Sequence, residues 1–284
     1  PFISIKVTGI ARFGLLEKID ALMEERNEES LTKRYLTAVQ KLSEAESAEW
    51  QKVLVRLEKI CQVAADSNIS VLVDAEESWI QNPVDAITML MMERFNTQRA
   101  VVYNTIQLYR HDRLSFLKDS YAVARNNNFI LGAKLVRGAY MEKERQRASD
   151  MNYPSPIQKD KSSSDADFDA AIGFSLENIS GIALIVASHN ENSNLLATRL
   201  MREKGLPANH SHIHFSQLYG MSDNITFNLA AAGCGVSKYL PFGPIEDVVP
   251  YLMRRAQENT SVKGQTGREL GLIQKELERR AHSA

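Results

Sequence analysis

The chain has 284 residues, with 34 basic and 35 acidic side chains, a formal net charge of −1 and 44% hydrophobic residues. That size and balance suit one large barrel or two medium domains of an ordinary globular protein, and they provide no global field that favours nucleic acid or an acidic membrane surface. The two cysteines, Cys61 and Cys234, belong to no CxxC or Cys/His cluster, which argues against a disulfide framework or structural zinc and for reduced, buried thiols.

No apolar run approaches the roughly 20 residues of a membrane span. The opening PFISIKV lacks the basic region and cleavage site of a signal peptide. In chain order, a short β-branched run predicts a strand over 3–7, and the charged stretch 26–34 reads as a solvated loop or helix end. A helix is expected over 57–65, where Leu57, Ile60, Cys61 and Ala64 fall at helical spacing. A strand over 71–73, a helix over 84–95, a strand over 100–105, a helix over 114–126 and a strand over 133–136 follow. Residues 153–169 are rich in Pro, Ser and Asp and read as a long exposed loop. Then come a strand over Ile182–Ala187, a helix over 194–204 stopped by Gly205-Leu206-Pro207, and strands over 212–215 and 235–240. The alternation implies a parallel α/β architecture. Seven strands are one short of a closed (β/α)8 barrel, which points to a missing strand upstream. The alternative is an open doubly wound sheet, disfavoured because no glycine fingerprint follows an early strand.

Polar residues gather where the strands end, the active-site face of a parallel barrel. Lys6 lies in the first run; Asp74, Glu76 and Glu77 follow the second; Gln107, Tyr109 and Arg110 follow the third. Lys134 lies in the fourth, which leads into Arg137-Gly138-Ala139-Tyr140. Ser188-His189-Asn190 end the fifth, and Tyr239 the last. A helix over 245–262 places Tyr251, Arg254, Arg255 and Glu258 on one face. That face is either a solvated one with an Arg254–Glu258 pair, or an anion clamp able to grip a carboxylate with charge-assisted bonds. Gly138 either ends a strand or lets backbone approach a phosphate or planar ring. His210, His212 and His214 alternate as metal ligands on a strand can, but they enter their strand from its amino end, the wrong face for barrel chemistry.

These residues carry a resemblance. YLMRRAQEN at 251–259 resembles the Y-x-x-R-R-x-x-E-N signature of the proline dehydrogenase family, and AKLVRGAYMEKE at 133–144 its R/K-L-V-K/R-G-A-Y block. LVDAEES at 72–78, ASHNENS at 187–193, FSQLYGMSD at 215–223, KYLPFGP at 238–244 and ISIK at 3–6 are similar to further blocks in the family's order. The resemblance covers nearly the whole chain. It implies a distorted (β/α)8 barrel holding FAD at its strand carboxyl ends, a last helix over the barrel mouth, and a single domain over 1–284. It also implies that the first strand and a helical N-terminal arm precede the ISIK strand.

The implied reaction is oxidation of L-proline to pyrroline-5-carboxylate, with hydride passing from proline C5 to flavin N5 and electrons going on to a quinone. The implied setting is peripheral on the inner membrane from a bacterial cytoplasm, or the matrix side of a mitochondrion. Residue by residue, the resemblance gives Arg254 and Arg255 the substrate carboxylate, with Lys6 as third cation. Tyr239 packs on the proline ring, Asp74 and Glu258 hold the arginines, and Tyr140, Leu218 and Tyr251 belong to the substrate side. Gln107 and Lys134 face the isoalloxazine, and Arg137, Gly138 and Ala139 run along the cofactor. Ser188, His189 and Asn190 take its ribose or adenosine part, and Lys161 its pyrophosphate. Lys134 and Ser188 stand where many bacterial members carry Arg and Thr, so the chain is similar to the monofunctional, eukaryotic-like branch. Bulky Tyr239 stands where hydroxyproline-oxidising relatives carry a smaller residue, which favours proline. A small-anion-binding barrel without catalysis is the other class of reading.

Overall fold

The β-branched runs form one seven-stranded sheet whose order follows the chain, β1 to β7. The strands are β1 (Phe2–Ile5), β2 (Ser70–Val73), β3 (Val102–Gln107), β4 (Leu131–Val136), β5 (Ile182–Ala187), β6 (Ile213–Leu218) and β7 (Val236–Tyr239). Every pair from β1 through β6 is parallel. Thus the chain is a parallel β/α protein of the (β/α)8-barrel type, with seven strands among the described residues. The computed structural model describes residues 1–24, 30–246, 248–249, 251–253 and 265–282.

Strands β2 to β5 are buried on almost every residue, which explains why they read as continuous apolar runs rather than alternating ones. The helices are α1 (Phe13–Glu24), α2 (Leu31–Gln40), α3 (Glu44–Asp66), α4 (Gln81–Phe95), α5 (Arg113–Asn126), α6 (Met141–Asp150), α7 (Lys161–Glu177), α8 (Glu191–Glu203) and α9 (Asp223–Ala231). A further helix spans Gln265–Ala281 and exposes Ile273 and Leu277. Among the described residues no helix is long and apolar enough to cross a membrane.

Local chemistry sets the boundaries. A capping box starts α3, with Ser43 and Glu46 each satisfying the other's backbone N–H. Asn190 caps α8 by accepting from Asn192 N and Ser193 N. Helix α1 buries Leu15, Leu16, Ile19 and Met23 on one face. Cys61 is fully buried in α3, and burial pushes its thiol up to about 12, so it is an inert packing residue.

One expectation is corrected, and a second is resolved as a helix end. The stretch 153–169 is not one long loop: α7 begins at Lys161, capped by Asp160, whose side chain accepts from Ser163 N. Phe168, Ala171, Ile172 and Leu176 bury one face of α7, and that burial outweighs the weak helix preference of its Ser-rich start. The stretch 26–34 is helical from Leu31 onward, behind the Ser30 cap; residues 25–29 lie outside the description.

The chain divides into two compact units. Unit 1 comprises residues 1–216 and 224–237; unit 2 comprises 217–223 and 238–284.

Candidate active site at the strand carboxyl ends

In unit 1 the strand-end residues converge on Asp74, which directly follows β2 and is buried. Its carboxylate accepts from Lys134 Nζ at 2.5 Å and Ser4 Oγ at 2.5 Å, and Lys6 Nζ lies 3.7 Å away. Burial alone would push the Asp74 carboxyl up; the charges of Lys134 and Lys6 outweigh it and hold the group below its ordinary value. The two ammonium groups differ in setting. Lys134 is 9% exposed and Lys6 44%. Burial raises the Tyr140 phenol, while the neighbouring Lys6 draws it back by charge and hydrogen bond, which places Tyr140 beside this cluster.

Gln107 closes β3. Its amide donates to the Glu76 carbonyl at 3.0 Å, and its Oε1 is buried without a partner. The loop after β2 is braced from behind: Glu76 N donates to Gln81 Oε1 (2.9 Å), Gln81 Nε2 to Asp85 Oδ1 (2.8 Å), and Arg113 Nη1 to Asp85 Oδ2 (2.7 Å). From α6, Glu144 accepts from both the N–H and hydroxyl of Ser78, each at 2.6 Å, and Lys143 pairs with Glu77. Trp79 lies beneath the Arg147 guanidinium at 4.3 Å. Tyr140 therefore sits at the head of a helix fastened to the β2 loop.

Gly138 has φ +120°, in the range where side chains are strained, and an added Cβ would lie 2.3 Å from the Tyr109 ring. The planar ring that approaches this glycine is the chain's own. Ala139 is exposed next to it. Arg137 is a hub. Its Nε donates to Asp165 (2.6 Å), Nη1 to Ser188 (2.8 Å) and Nη2 to Ser193 (2.9 Å), and its plane covers Phe168 at 4.2 Å. Ser188 follows β5 and also accepts from Asn190 N at 3.1 Å. His189 is half-buried between them. Asn194 donates to the carbonyls of Ser188 and Asn190, and its Oδ1 is buried without a partner. Lys161, an exposed residue in the first turn of α7, is paired with Asp165 at 2.5 Å rather than extended on a loop.

Unit 2 holds the other expected residues. Tyr239 ends β7, and its ring meets Tyr251 at 6.2 Å between centroids. Leu218 ends β6, half-buried. Arg254, Arg255 and Glu258 lie outside the described residues. In unit 1, His210 and His212 precede β6, with rings edge to face at 5.8 Å and His212 Nδ1 on the Ile179 carbonyl at 2.8 Å.

Sequence reasoning missed Ser4, Asp165, Ser193 and Glu144. Of these only Glu144 had a legible signal, as a carboxylate on the helix that directly follows the β4 strand-end block.

The side chains present fit a flavin. Two buried carbonyl acceptors, Gln107 Oε1 and Asn194 Oδ1, lack donors, and such donors exist on a flavin ring and a ribose. Cationic and hydroxyl groups stand at the same strand ends for its carbonyl and phosphate oxygens.

Comparison with known proteins agrees. The proline dehydrogenase family profile matches residues 10–268. The chain is 37% identical over 250 residues to proline dehydrogenase 1, mitochondrial, of Caenorhabditis elegans, covering 86% of this chain and 41% of that protein. It is 34% identical to hydroxyproline dehydrogenase of Xenopus laevis, covering 99% of this chain and 63% of that one. The crystal structure of proline utilization A from Bdellovibrio bacteriovorus shares the fold at a TM-score of 0.75 and 22% identity, over 92% of this chain and 24% of that one. The chain thus spans about two fifths of the length of the mitochondrial relative. By profile, identity and order of elements, the chain belongs to the proline dehydrogenase family.

Proposed function

We propose that residues 1–284 serve as one flavin-dependent domain that oxidises L-proline to pyrroline-5-carboxylate. The observation that carries this reading is the buried Lys134–Asp74 pair, with Lys6 and Tyr140 beside it, at the carboxyl ends of parallel strands in a chain of this family.

When bound, FAD supplies the acceptor for the hydride that leaves proline C5. The chain supplies position and charge. Lys134, held by Asp74, and Gln107, through its unpartnered Oε1, face the isoalloxazine. Arg137, Gly138 and Ala139 line the cofactor; Ser188, His189 and Asn190 serve its ribose or adenosine part. The Asn190 Oδ1 already caps α8, and its backbone N–H and carbonyl are engaged by Ser188 and Asn194, so its contribution comes through the side-chain amide N–H. Lys161 serves the pyrophosphate from the exposed start of α7.

Lys6, the more exposed ammonium beside Asp74, joins Arg254 and Arg255 on the substrate carboxylate. Asp74 and Glu258 keep these cations in place. Tyr239 packs on the proline ring, with Tyr140, Leu218 and Tyr251 around it. A carboxylate fixed by three cations orients the ring for transfer. The same positive charge disfavours the protonated amine, which helps because loss of hydride needs the nitrogen lone pair.

Electrons then leave for a quinone, with the protein peripheral on the inner membrane of a bacterium or on the matrix side of a mitochondrion, as the names of the mitochondrial relatives suggest. The Xenopus laevis relative favours a second substrate, hydroxyproline; the bulk of Tyr239 favours proline. Dye-linked turnover with each amino acid tests the assignment. Proline-dependent dye reduction well above that with hydroxyproline supports it, and no turnover with either refutes it.

A further inference from the structure

The Arg137 hub draws its partners from β5, α7 and α8. Asp165, Phe168 and Asp169 stand at i, i+3 and i+4 on α7 and share one face. Asp165 takes the Arg137 Nε–H at 2.6 Å, and Phe168, fully buried, supports the guanidinium plane at 4.2 Å. Asp169 accepts from the Ser193 hydroxyl at 2.6 Å, which turns the Ser193 oxygen toward Arg137 Nη2 at 2.9 Å. Ser188 holds Nη1 from the end of β5. Three of the five guanidinium N–H groups are thus committed, one on each nitrogen, and two remain. Phe168 fixes the plane's tilt and the three acceptors fix its rotation. Asp165 is itself steadied by Lys161 at 2.5 Å, and although burial pushes its carboxyl up, Lys161 and Arg137 hold it below the ordinary range. The two carboxylates balance the charges of Arg137 and Lys161, so the hub offers directed hydrogen bonds rather than net charge.

We propose that Asp165 is a positioning residue that acts through Arg137, aiming its remaining N–H groups at acceptor oxygens of bound FAD. This rests on the flavin reading above and adds a role for α7 to it.

The charge change at Asp165 and the loss of aim act on FAD binding with opposite signs. Asp165→Asn keeps the shape and adds one positive charge to the cluster. Long-range attraction alone would tighten FAD, whereas loss of aim would loosen it. FAD affinity is read by quenching of flavin fluorescence on titration with flavin-free full chain, for wild type, Asp165→Asn, Arg137→Ala and the double variant. Thermal midpoints of the flavin-free forms are measured alongside. The expected result is roughly tenfold weaker FAD binding for Asp165→Asn, restored in part by Asp165→Glu, and a double variant no weaker than Arg137→Ala alone. Unchanged or tighter binding in Asp165→Asn, while Arg137→Ala is weakened, overturns the positioning role and leaves the flavin reading intact. So does a double variant with the full sum of both losses, which is the mark of a structural role independent of Arg137. No FAD binding by the wild type sinks the flavin reading itself.

Discussion

Replacing Lys134 with Met tests the centre of the unit 1 site without removing bulk. Lys134 and Asp74 are 9% and 12% exposed in their side chains and meet at 2.5 Å. Removing one partner of a buried pair strands the other charge, at a cost of about 3–5 kcal/mol. Lys6 stays 3.7 Å from Asp74, and the Ser4 hydroxyl still donates to it, so the loss belongs at the lower end, about 3 kcal/mol. The pH dependence carries the sign. In the wild type the Asp74 carboxyl titrates below its ordinary value, because Lys134 and Lys6 outweigh its burial. Its contribution is therefore present above the unfolded value of 3.8 and is lost as pH falls through the lower folded one. In Lys134→Met, burial dominates and Asp74 moves up, so the variant's deficit is small in acid and grows toward neutrality. Urea denaturation of flavin-free protein across this range measures it. Adding Asp74→Asn to Lys134→Met removes the stranded charge and should recover most of the loss. A deficit under about 1 kcal/mol at neutral pH, or one that is the same in acid, would refute the reasoning.

Other outcomes follow from single contacts. Burial raises the Asp20 carboxyl from 3.8 to about 7, beside Asn82 and Glu24. The native state thus holds a proton that the unfolded chain releases, so stability falls as pH rises between these values, by up to roughly 4 kcal/mol at 1.36 per pH unit; Asp20→Asn should flatten that slope in a pH series of denaturation curves. Gly138→Ala drives a Cβ against Tyr109 at φ +120°, and should cost about 3 kcal/mol in thermal or urea unfolding; a neutral result would mean the loop is not held as described. Tyr35→Phe removes the acceptor for the buried Trp50 indole N–H at 2.8 Å and should cost about 1–3 kcal/mol by the same assay. In steady-state kinetics, Arg254→Ala should mainly raise KM for proline, by an equivalent of about 2–5 kcal/mol; an unchanged KM removes Arg254 from the clamp.

Strand positions were the most legible part of the sequence, because strands buried on both faces are written as short unbroken apolar runs. All seven expected runs overlap an observed strand, with ends shifted by a few residues, as at Ile106-Gln107 and Gln217-Leu218. Helices whose buried face is interrupted were harder to read. The start of α7 reads Lys161-Ser162-Ser163-Ser164, poor helix formers, and its fold depends on burying Phe168 and Ile172 twelve or fewer residues on. Helices α1, α6 and α9 were not read either; α6 buries only Glu144 and Ala148, so no apolar stripe announces it. In the site, Asp74 and Lys134 stood out as polar residues in or after apolar strands, but nothing in the sequence pairs them across a separation of 60 residues. The commitments of Arg137 to Asp165 and Ser193 were illegible for the same reason, since they depend on how α7 and α8 lie against β4.

The measurement that bears most directly on the proposed function is the visible absorption spectrum of the purified, FAD-loaded protein before and after anaerobic L-proline. The proposed proline oxidation predicts a flavin spectrum that bleaches with proline and much less with hydroxyproline. A bound flavin that proline leaves unbleached would contradict it.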